Sequence, residues 1–203
     1  MLLVSCTSDS EDYDPYHDWQ RRNETWYEQI ADSARTAIRA ARLTYGSEWE
    51  KHCAWRMYKA LTKSPTYDSG LTVDSICVHI ISRGQGTVHP LSTDSVRCNY
   101  RGWLMPTIDA NGAVEERVFD QTYYGSYSPV TAYPHKFGVG GVVSGFSTAL
   151  QNMVVGDDWH LYIPYQLGYD QSIKTEIPAY STLHFRVQLM GIYPIGTEVP
   201  AWK

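Results

Sequence analysis

Cysteine is scarce in this chain: there are four in 203 residues, Cys6, Cys53, Cys77 and Cys98, with no Cys-x-x-Cys pair. Neither a cysteine-built zinc site nor a thioredoxin-like redox pair can be assembled from that spacing. The seven histidines include no His-Glu-x-x-His, and no Gly-x-Ser-x-Gly elbow occurs. The zinc pair of a metalloprotease and the nucleophile of a hydrolase are both missing, and no metal is expected. Gly138-Val139-Gly140-Gly141-Val142-Val143 has valine where a dinucleotide loop needs its third glycine, and no parallel βαβ pattern surrounds it, which removes a nucleotide site. No stretch reaches the ~20 apolar residues that span a bilayer. Positive charge is short as well: 17 Lys and Arg stand against 22 Asp and Glu, a net charge of -5, with no basic block outside the amino-terminal helical region. Nucleic-acid binding thereby loses its electrostatic footprint, and no DNA or RNA partner is expected. Phenylalanine is rare too, four residues against sixteen tyrosines and seven tryptophans. Aromatic area with polar edges suits a binding cleft and an aromatic-rich core equally.

Length and composition are those of a globular protein with room for one ordinary domain and an appendage. The chain starts Met1-Leu2-Leu3-Val4-Ser5-Cys6 and turns at once to Thr7-Ser8-Asp9-Ser10-Glu11-Asp12. Leu3-Val4-Ser5-Cys6 resembles a bacterial lipobox, the junction where a signal peptide is cut ahead of a cysteine that becomes acylated. The resemblance implies lipidation of Cys6, an acidic tether over residues 1–17, and attachment to a membrane by acyl chains rather than by a spanning helix. Among the other cysteines, Cys77 and Cys98 fall in strand-like runs and could meet in an oxidising compartment. Buried thiols acting as small apolar groups are commoner, and that reading is adopted.

Residues 18–67 read as a helical appendage. Asn23 is placed as the cap of a first helix whose small or apolar positions Trp26, Ile30, Ala34, Ala37, Ile38 and Ala41 recur near a period of 3.6, with Gly46 as its stop. Trp49, Cys53, Met57, Tyr58 and Leu61 keep helical spacing over residues 47–61, which predicts a second helix ended by Pro65. Two short amphipathic helices need a partner surface, which the following domain or a second copy of the chain can provide; a homodimer through these helices is one expectation. Arg35, Arg39 and Arg42 follow one helix face, which reads as a solvated face. From residue 75 the period changes. Residues 76–81, 96–100, 157–164 and 183–192 read as strands, and residues 143–153 as a short helix with Phe146, Leu150 and Met153 on one face. The histidines at 160 and 184 are placed on exposed strand faces. Few strands, one central helix and many Gly and Pro loops indicate the α+β class, an antiparallel sheet wrapped on a helix.

Four segments follow in order between Phe137 and Phe185: Gly-Val-Val-x-Gly-Phe, Ala-Leu-x-x-Met-x-x-Gly, Ile-Pro-x-x-Leu-Gly-Tyr and Ile-Pro-x-x-Ser-Thr-Leu-x-Phe. Each is weak alone, but their order and spacing resemble the FKBP family of peptidyl-prolyl isomerases. The resemblance covers roughly residues 75–192, and Tyr100-Arg101-Gly102-Trp103-Leu104 and Phe119-Asp120 fit its earlier strands. It implies an FKBP-like antiparallel sheet around a short central helix, preceded by the amino-terminal helical segment, with the FKBP-like domain over residues 68–203. It also implies Asp120, Tyr169 and Phe119 as catalytic residues, Tyr100, Val142, Val143, Phe146, Ile177 and Phe185 as the walls and floor of a proline pocket, and no cofactor. On the family pattern the Val143 N–H and the Tyr169 hydroxyl hold flanking carbonyls, while Asp120 orients or polarises near the rotating amide.

Such an inventory is chemically sufficient. Twisting a peptide bond crosses ~18–20 kcal/mol because resonance is lost, while the two X-Pro isomers differ by only about 0.5–1 kcal/mol. No bond breaks, so no nucleophile is needed. The expectation is therefore a lipid-anchored isomerase of a bacterial cell envelope, facing the periplasm or the surface, that acts on X-Pro bonds of envelope or exported polypeptides. The rival expectation is a catalytically weak chaperone or protein-binding lipoprotein on the same fold. Phe146 in place of the family's tryptophan floor, Asp170 in place of a glycine, Ala179 in place of a second proline, and Tyr-rich insertions around Asn111-Gly112 and Tyr123, Tyr124 and Tyr127 are where the chain departs from the pattern.

Overall fold

The computed structural model of the chain describes residues 13–64, 66 and 70–202. Cys6 and the tether ahead of residue 13 lie outside the described residues. The elements in chain order are α1 (Trp19–Tyr45), α2 (Trp49–His52), β1 (Trp55–Lys59), β2 (Ser75–Ser82), β3 (Ser95–Trp103), β4 (Thr107–Ile108), β5 (Val114–Glu115), β6 (Val118–Gln121), β7 (His135–Gly138), α3 (Ser144–Leu150), β8 (Asp158–Ile163) and β9 (Leu183–Tyr193).

Seven strands form one antiparallel sheet in the order β1-β2-β8-β9-β3, with the outer edge of β3 shared: β7 pairs its Ser95–Cys98 half and β6 its Arg101–Trp103 half. Alternation along these strands divides the side chains between two faces. One face carries Ile76, Val96, Leu161, Phe185 and Val187 onto α3, where Phe146, Ala149 and Leu150 complete the core. Gly145 sets the distance between the helix and the sheet, since a Cβ there would stand 2.4 Å from Ile163 Cγ2. The fold is thus the expected α+β one, an antiparallel sheet around a short central helix preceded by a helical segment.

The opposite face is covered by α1. Tyr27, Ala31 and Ala34 pack on Cys77, flanked by Ile30, Trp55, Met57 and Tyr162. The helix begins four residues before the predicted cap. Asn23 is not a cap but a buried clamp inside the helix, donating to the Trp19 carbonyl at 2.8 Å and accepting from the Thr182 N–H at 2.8 Å. The stop at Gly46 is as expected, with φ +54 in the left-handed region that glycine enters freely.

The helix predicted over residues 47–61 is corrected. A single turn, α2, gives way to β1, which pairs antiparallel with β2, Trp55 opposite His79 and Tyr58 opposite Ile76. Met57 lies against the α1 side and Tyr58 stacks toward Trp159 in the core, so both faces of β1 are apolar and period two is blurred into an apparent helical spacing. The buried Arg56 guanidinium donates to the carbonyls of Glu50, Cys53 and Trp55 and secures the turn into the strand. Residues of the expected appendage therefore supply the edge strand of the sheet and the cover of its outer face. The apolar stripe of α1 is buried against the chain's own sheet.

Two smaller expectations resolve. Cys53, Cys77 and Cys98 are buried free thiols, and burial raises the thiols of Cys77, to about 11, and Cys98. His160 and His184 are not on an open face: they lie stacked under α1, with His160 Nδ1 2.7 Å from His184 Nε2 and with Tyr162, Trp26 and Trp103 around His184.

Candidate active site

At the open end of the inner sheet face lies a cavity of about 670 Å³. Tyr100, Phe119, Asp120, Val142, Val143, Phe146, Tyr169, Ile177 and Phe185, the nine residues singled out in the sequence, all line it. They come from six places in the chain. Phe185 and Asp120 flank Gly102 from the neighbouring strands β9 and β6, and Tyr100 lies two residues before Gly102 on the same face. Val142 and Val143 lead into α3, whose first turn presents Phe146 as the floor, only 5% exposed. Tyr169 follows the turn after β8, and Ile177 closes the loop ahead of β9.

The chain's four phenylalanines, Phe119, Phe137, Phe146 and Phe185, all line this one cavity. Their rings meet edge to face: Phe146 and Phe185 at 4.9 Å and 74°, Phe119 and Phe185 at 5.2 Å and 89°, Phe137 and Phe146 at 5.8 Å and 67°. The Tyr100 ring meets Phe137, Phe146 and Phe185 at 6.3 to 6.4 Å. Edge-to-face contacts fix ring orientation and leave a cup of aromatic faces and edges rather than a filled core. Gly102 makes the cup geometrically possible, because a Cβ on it would fall 2.6 Å from Phe119 and 2.7 Å from Phe185.

Polar groups sit at the rim. The Tyr100 hydroxyl donates to Asp120 Oδ2 at 2.8 Å, and burial together with that carboxylate pushes the hydroxyl well above the ordinary tyrosine range. Tyr100 is held from behind as well, its N–H donating to Thr122 Oγ1 at 2.9 Å and its carbonyl accepting from the Thr122 N–H at 2.9 Å. The Lys174 ammonium lies 5.3 Å from the centre of the Tyr169 ring. Asp170 takes φ +54, a conformation glycine would enter without strain; its N–H donates to the Tyr165 carbonyl and its carbonyl accepts from the Tyr180 N–H, both at 2.8 Å, which pins the loop carrying Tyr169. Sequence reasoning missed His135, Phe137, Gly141, Lys174, Thr175 and Glu176, which complete the lining. Phe137 was findable as the one phenylalanine without an assigned place. The loop residues 174–176 follow no period that could have marked them.

The family described as FKBP-type peptidyl-prolyl cis-trans isomerase matches residues 86–190, just over half of the chain. An FKBP-type 22 kDa peptidyl-prolyl cis-trans isomerase of Escherichia coli is 34% identical over 122 residues, 60% of this chain and 52% of that protein. The chain thus spans about half the length of that relative. FK506-binding protein 1 of Aspergillus oryzae is 33% identical over 113 residues, covering 94% of that protein. Among solved structures, FkpA from Escherichia coli superposes with a TM-score of 0.49 at 23% identity, covering 94% of this chain and 75% of that one. With a family match over residues 86–190, a span that contains the cup from Tyr100 to Phe185, the chain belongs to the FKBP-type peptidyl-prolyl cis-trans isomerase family.

Proposed function

We propose that this chain catalyses cis-trans isomerisation of X-Pro bonds by desolvating and orienting them in the aromatic cavity. The observation that carries the reading is the cup itself, four phenylalanines and Tyr100 converging edge to face around about 670 Å³ with the Tyr100–Asp120 hydrogen bond at its rim. A proline ring seated on Phe146 against Phe185 exchanges water for aromatic contacts. A twisted amide has less charge separation than a planar one, so loss of water costs the ground state more than the transition state. Phe119 forms the outer wall, and Val142, Val143 and Ile177 flank the ring. The Val143 N–H and the Tyr169 hydroxyl hold the neighbouring carbonyls, and Asp120 orients the rotating amide while fixing Tyr100.

The substrates are proline-containing segments of envelope or exported polypeptides, and Cys6, outside the described residues, carries the lipid that holds the protein at the cell envelope. No helix among the described residues is long and apolar enough to cross a membrane. A homodimer through the amino-terminal helices would use the outer face of α1, because its apolar stripe packs on the sheet.

The test is isomerisation of a panel of X-Pro peptides, followed by exchange spectroscopy, with the whole chain, because β1 is the edge strand of the sheet and α1 covers its outer face. Turnover that disappears in Tyr169→Ala without loss of folding is the expected result. A folded protein with no turnover that still suppresses aggregation of an unfolded polypeptide would replace this reading by that of a chaperone on the same fold.

A further inference from the structure

Tyr100 stands where the outer edge of β3 changes partner. The ladder with β7 ends at Cys98, opposite His135, and the ladder with β6 starts at Arg101, opposite Gln121. Thr122, the residue after β6, fills the gap. In a continued antiparallel ladder two facing residues can exchange both of their backbone hydrogen bonds. Here one of the two is kept: the Thr122 N–H donates to the Tyr100 carbonyl at 2.9 Å. The Tyr100 N–H donates instead to the Thr122 hydroxyl oxygen, also at 2.9 Å, so a side chain stands in for a backbone carbonyl.

The stand-in is held from both sides. Arg101, next to Tyr100, donates through Nε to the Gln121 side-chain oxygen and through Nη2 to the Tyr123 carbonyl, both at 2.9 Å, and thereby grips the residues flanking Thr122. Its guanidinium also lies 4.8 Å from the centre of the buried Tyr123 ring. The Thr122 hydroxyl in turn lies 3.3 Å from the Tyr100 carbonyl and 3.4 Å from Oδ1 of the fully buried Asn99, which leaves its proton an acceptor on β3. On the inner face the same Tyr100 meets three phenylalanine rings and donates its hydroxyl to Asp120 at 2.8 Å. One side-chain oxygen behind the strand therefore anchors the backbone of a residue that shapes the cup in front of it.

We propose that Thr122 is a positioning residue: its hydroxyl fixes the backbone of Tyr100 and, through it, the Tyr100–Asp120 pair at the rim of the cup. Thr122 does not itself line the cup. Valine has the same shape as threonine but no acceptor, so it would leave the Tyr100 N–H unpaired in a half-buried place, and the strand would shift to recover a partner. On the isomerase reading, on which the kinetic consequence rests, that shift draws the Tyr100 hydroxyl away from Asp120 just where the rotating amide has to be oriented.

The experiment compares Thr122→Val and Thr122→Ser with the wild-type chain. Thr122→Val lowers kcat/KM on X-Pro peptides by about three- to tenfold, the range of one net hydrogen bond. The loss falls in kcat with KM little changed, because Asp120 acts on the rotating amide. Thr122→Ser, which keeps the acceptor, keeps wild-type turnover. The second readout is nuclear magnetic resonance of the Tyr100 ring, assigned with Tyr100→Phe: its resonances move in Thr122→Val toward their position in Asp120→Ala, where the hydrogen bond is gone, and stay in place in Thr122→Ser. If the valine variant does not fold, Arg101→Met, which leaves the hydroxyl but frees its neighbours, shifts kcat and the Tyr100 resonances in the same directions, and wild-type values there overturn the proposal. So does a folded Thr122→Val protein with wild-type kcat and Tyr100 resonances, whatever its stability. A wild type without turnover sinks the isomerase reading instead, and the Tyr100 resonances still decide the role of Thr122.

Discussion

Gly102→Ala tests whether the aromatic cup is held by the strand beneath it. The new Cβ would lie 2.6 Å from Phe119 Cζ, 2.7 Å from Phe119 Cε2 and 2.7 Å from Phe185 Cε1. Carbon atoms pack at ~3.5–4.0 Å, so each ring has to retreat by roughly 1 Å. The rings cannot retreat independently, since their centres are 5.2 Å apart at 89° and Phe185 also abuts Phe146 at 4.9 Å. Overpacking of this kind costs about 1–3 kcal/mol, and 2 kcal/mol lowers Tm by roughly 4–8 °C in a chain of this size. The loss in kcat/KM is larger, on the order of a hundredfold, because a misplacement of about 1 Å in a positioning wall costs that much. Thermal unfolding and peptide isomerisation measured on the same preparations read both effects. Phe119→Leu combined with Gly102→Ala removes part of the clash, so the double variant recovers about 1 kcal/mol over the sum of the single changes. Additive losses, or unchanged turnover in a destabilised Gly102→Ala protein, would refute the idea that this glycine exists to seat the two rings.

Asn23→Ala leaves the buried Thr182 N–H without its acceptor, which lowers unfolding free energy by about 1–3 kcal/mol in denaturant titrations; hydrogen exchange in α1 should quicken with it. Asp170→Gly relieves a left-handed backbone position and is neutral to stabilising by about 0.5 kcal/mol, whereas Asp170→Val loses about 1–2 kcal/mol, since β-branched side chains avoid that region. Burial takes the His184 imidazole down to about 3 and that of His160 to about 4. Because both folded values lie below the unfolded value of ~6.5, the unfolded chain binds the extra protons, and the contribution is complete above pH ~6.5 and is lost as pH falls toward 3. Stability falls by roughly 2 kcal/mol per histidine between pH 7 and pH 5, and His184→Phe flattens that profile; a wild type equally stable at both pH values would contradict the assignment.

The sheet was legible where strand-forming runs are bounded by Gly and Pro: β2 and β3, buried on both faces over much of their length, read as short runs rich in β-branched residues, β8 largely alternates, and α3 keeps three apolar residues on one face. β1 was not legible because it is sandwiched: with Met57 toward α1 and Tyr58 toward Trp159, its apolar positions imitate a helix, and only the free edge of β2 decides that the segment is extended. Asn23 misled for a related reason. A polar residue ahead of an amphipathic run reads as a cap, and nothing local announces that its amide is needed 159 residues later by Thr182. The histidine pair was misplaced because the cover of the outer face comes from α1, whose docking no strand pattern encodes.

The candidate site was more legible than the fold around it, and the cause lies in the chemistry it needs. A site that works by excluding water needs no reactive group, so any one of its residues passes for core. The cup becomes visible only as an ordered set along the chain, Tyr100, Phe119, Phe146, Tyr169 and Phe185, whose spacing is set by strands and turns that must close on one point. Residues outside that set follow a different logic. His135 and Lys136 stand on β7, a short edge strand, and Arg97 reads as an ordinary exposed position in an alternating run, yet it is buried. A guanidinium buried by the rings of Tyr193 and Trp202 and by the Pro200 carbonyl is a property of tertiary closure, which no period along β3 announces.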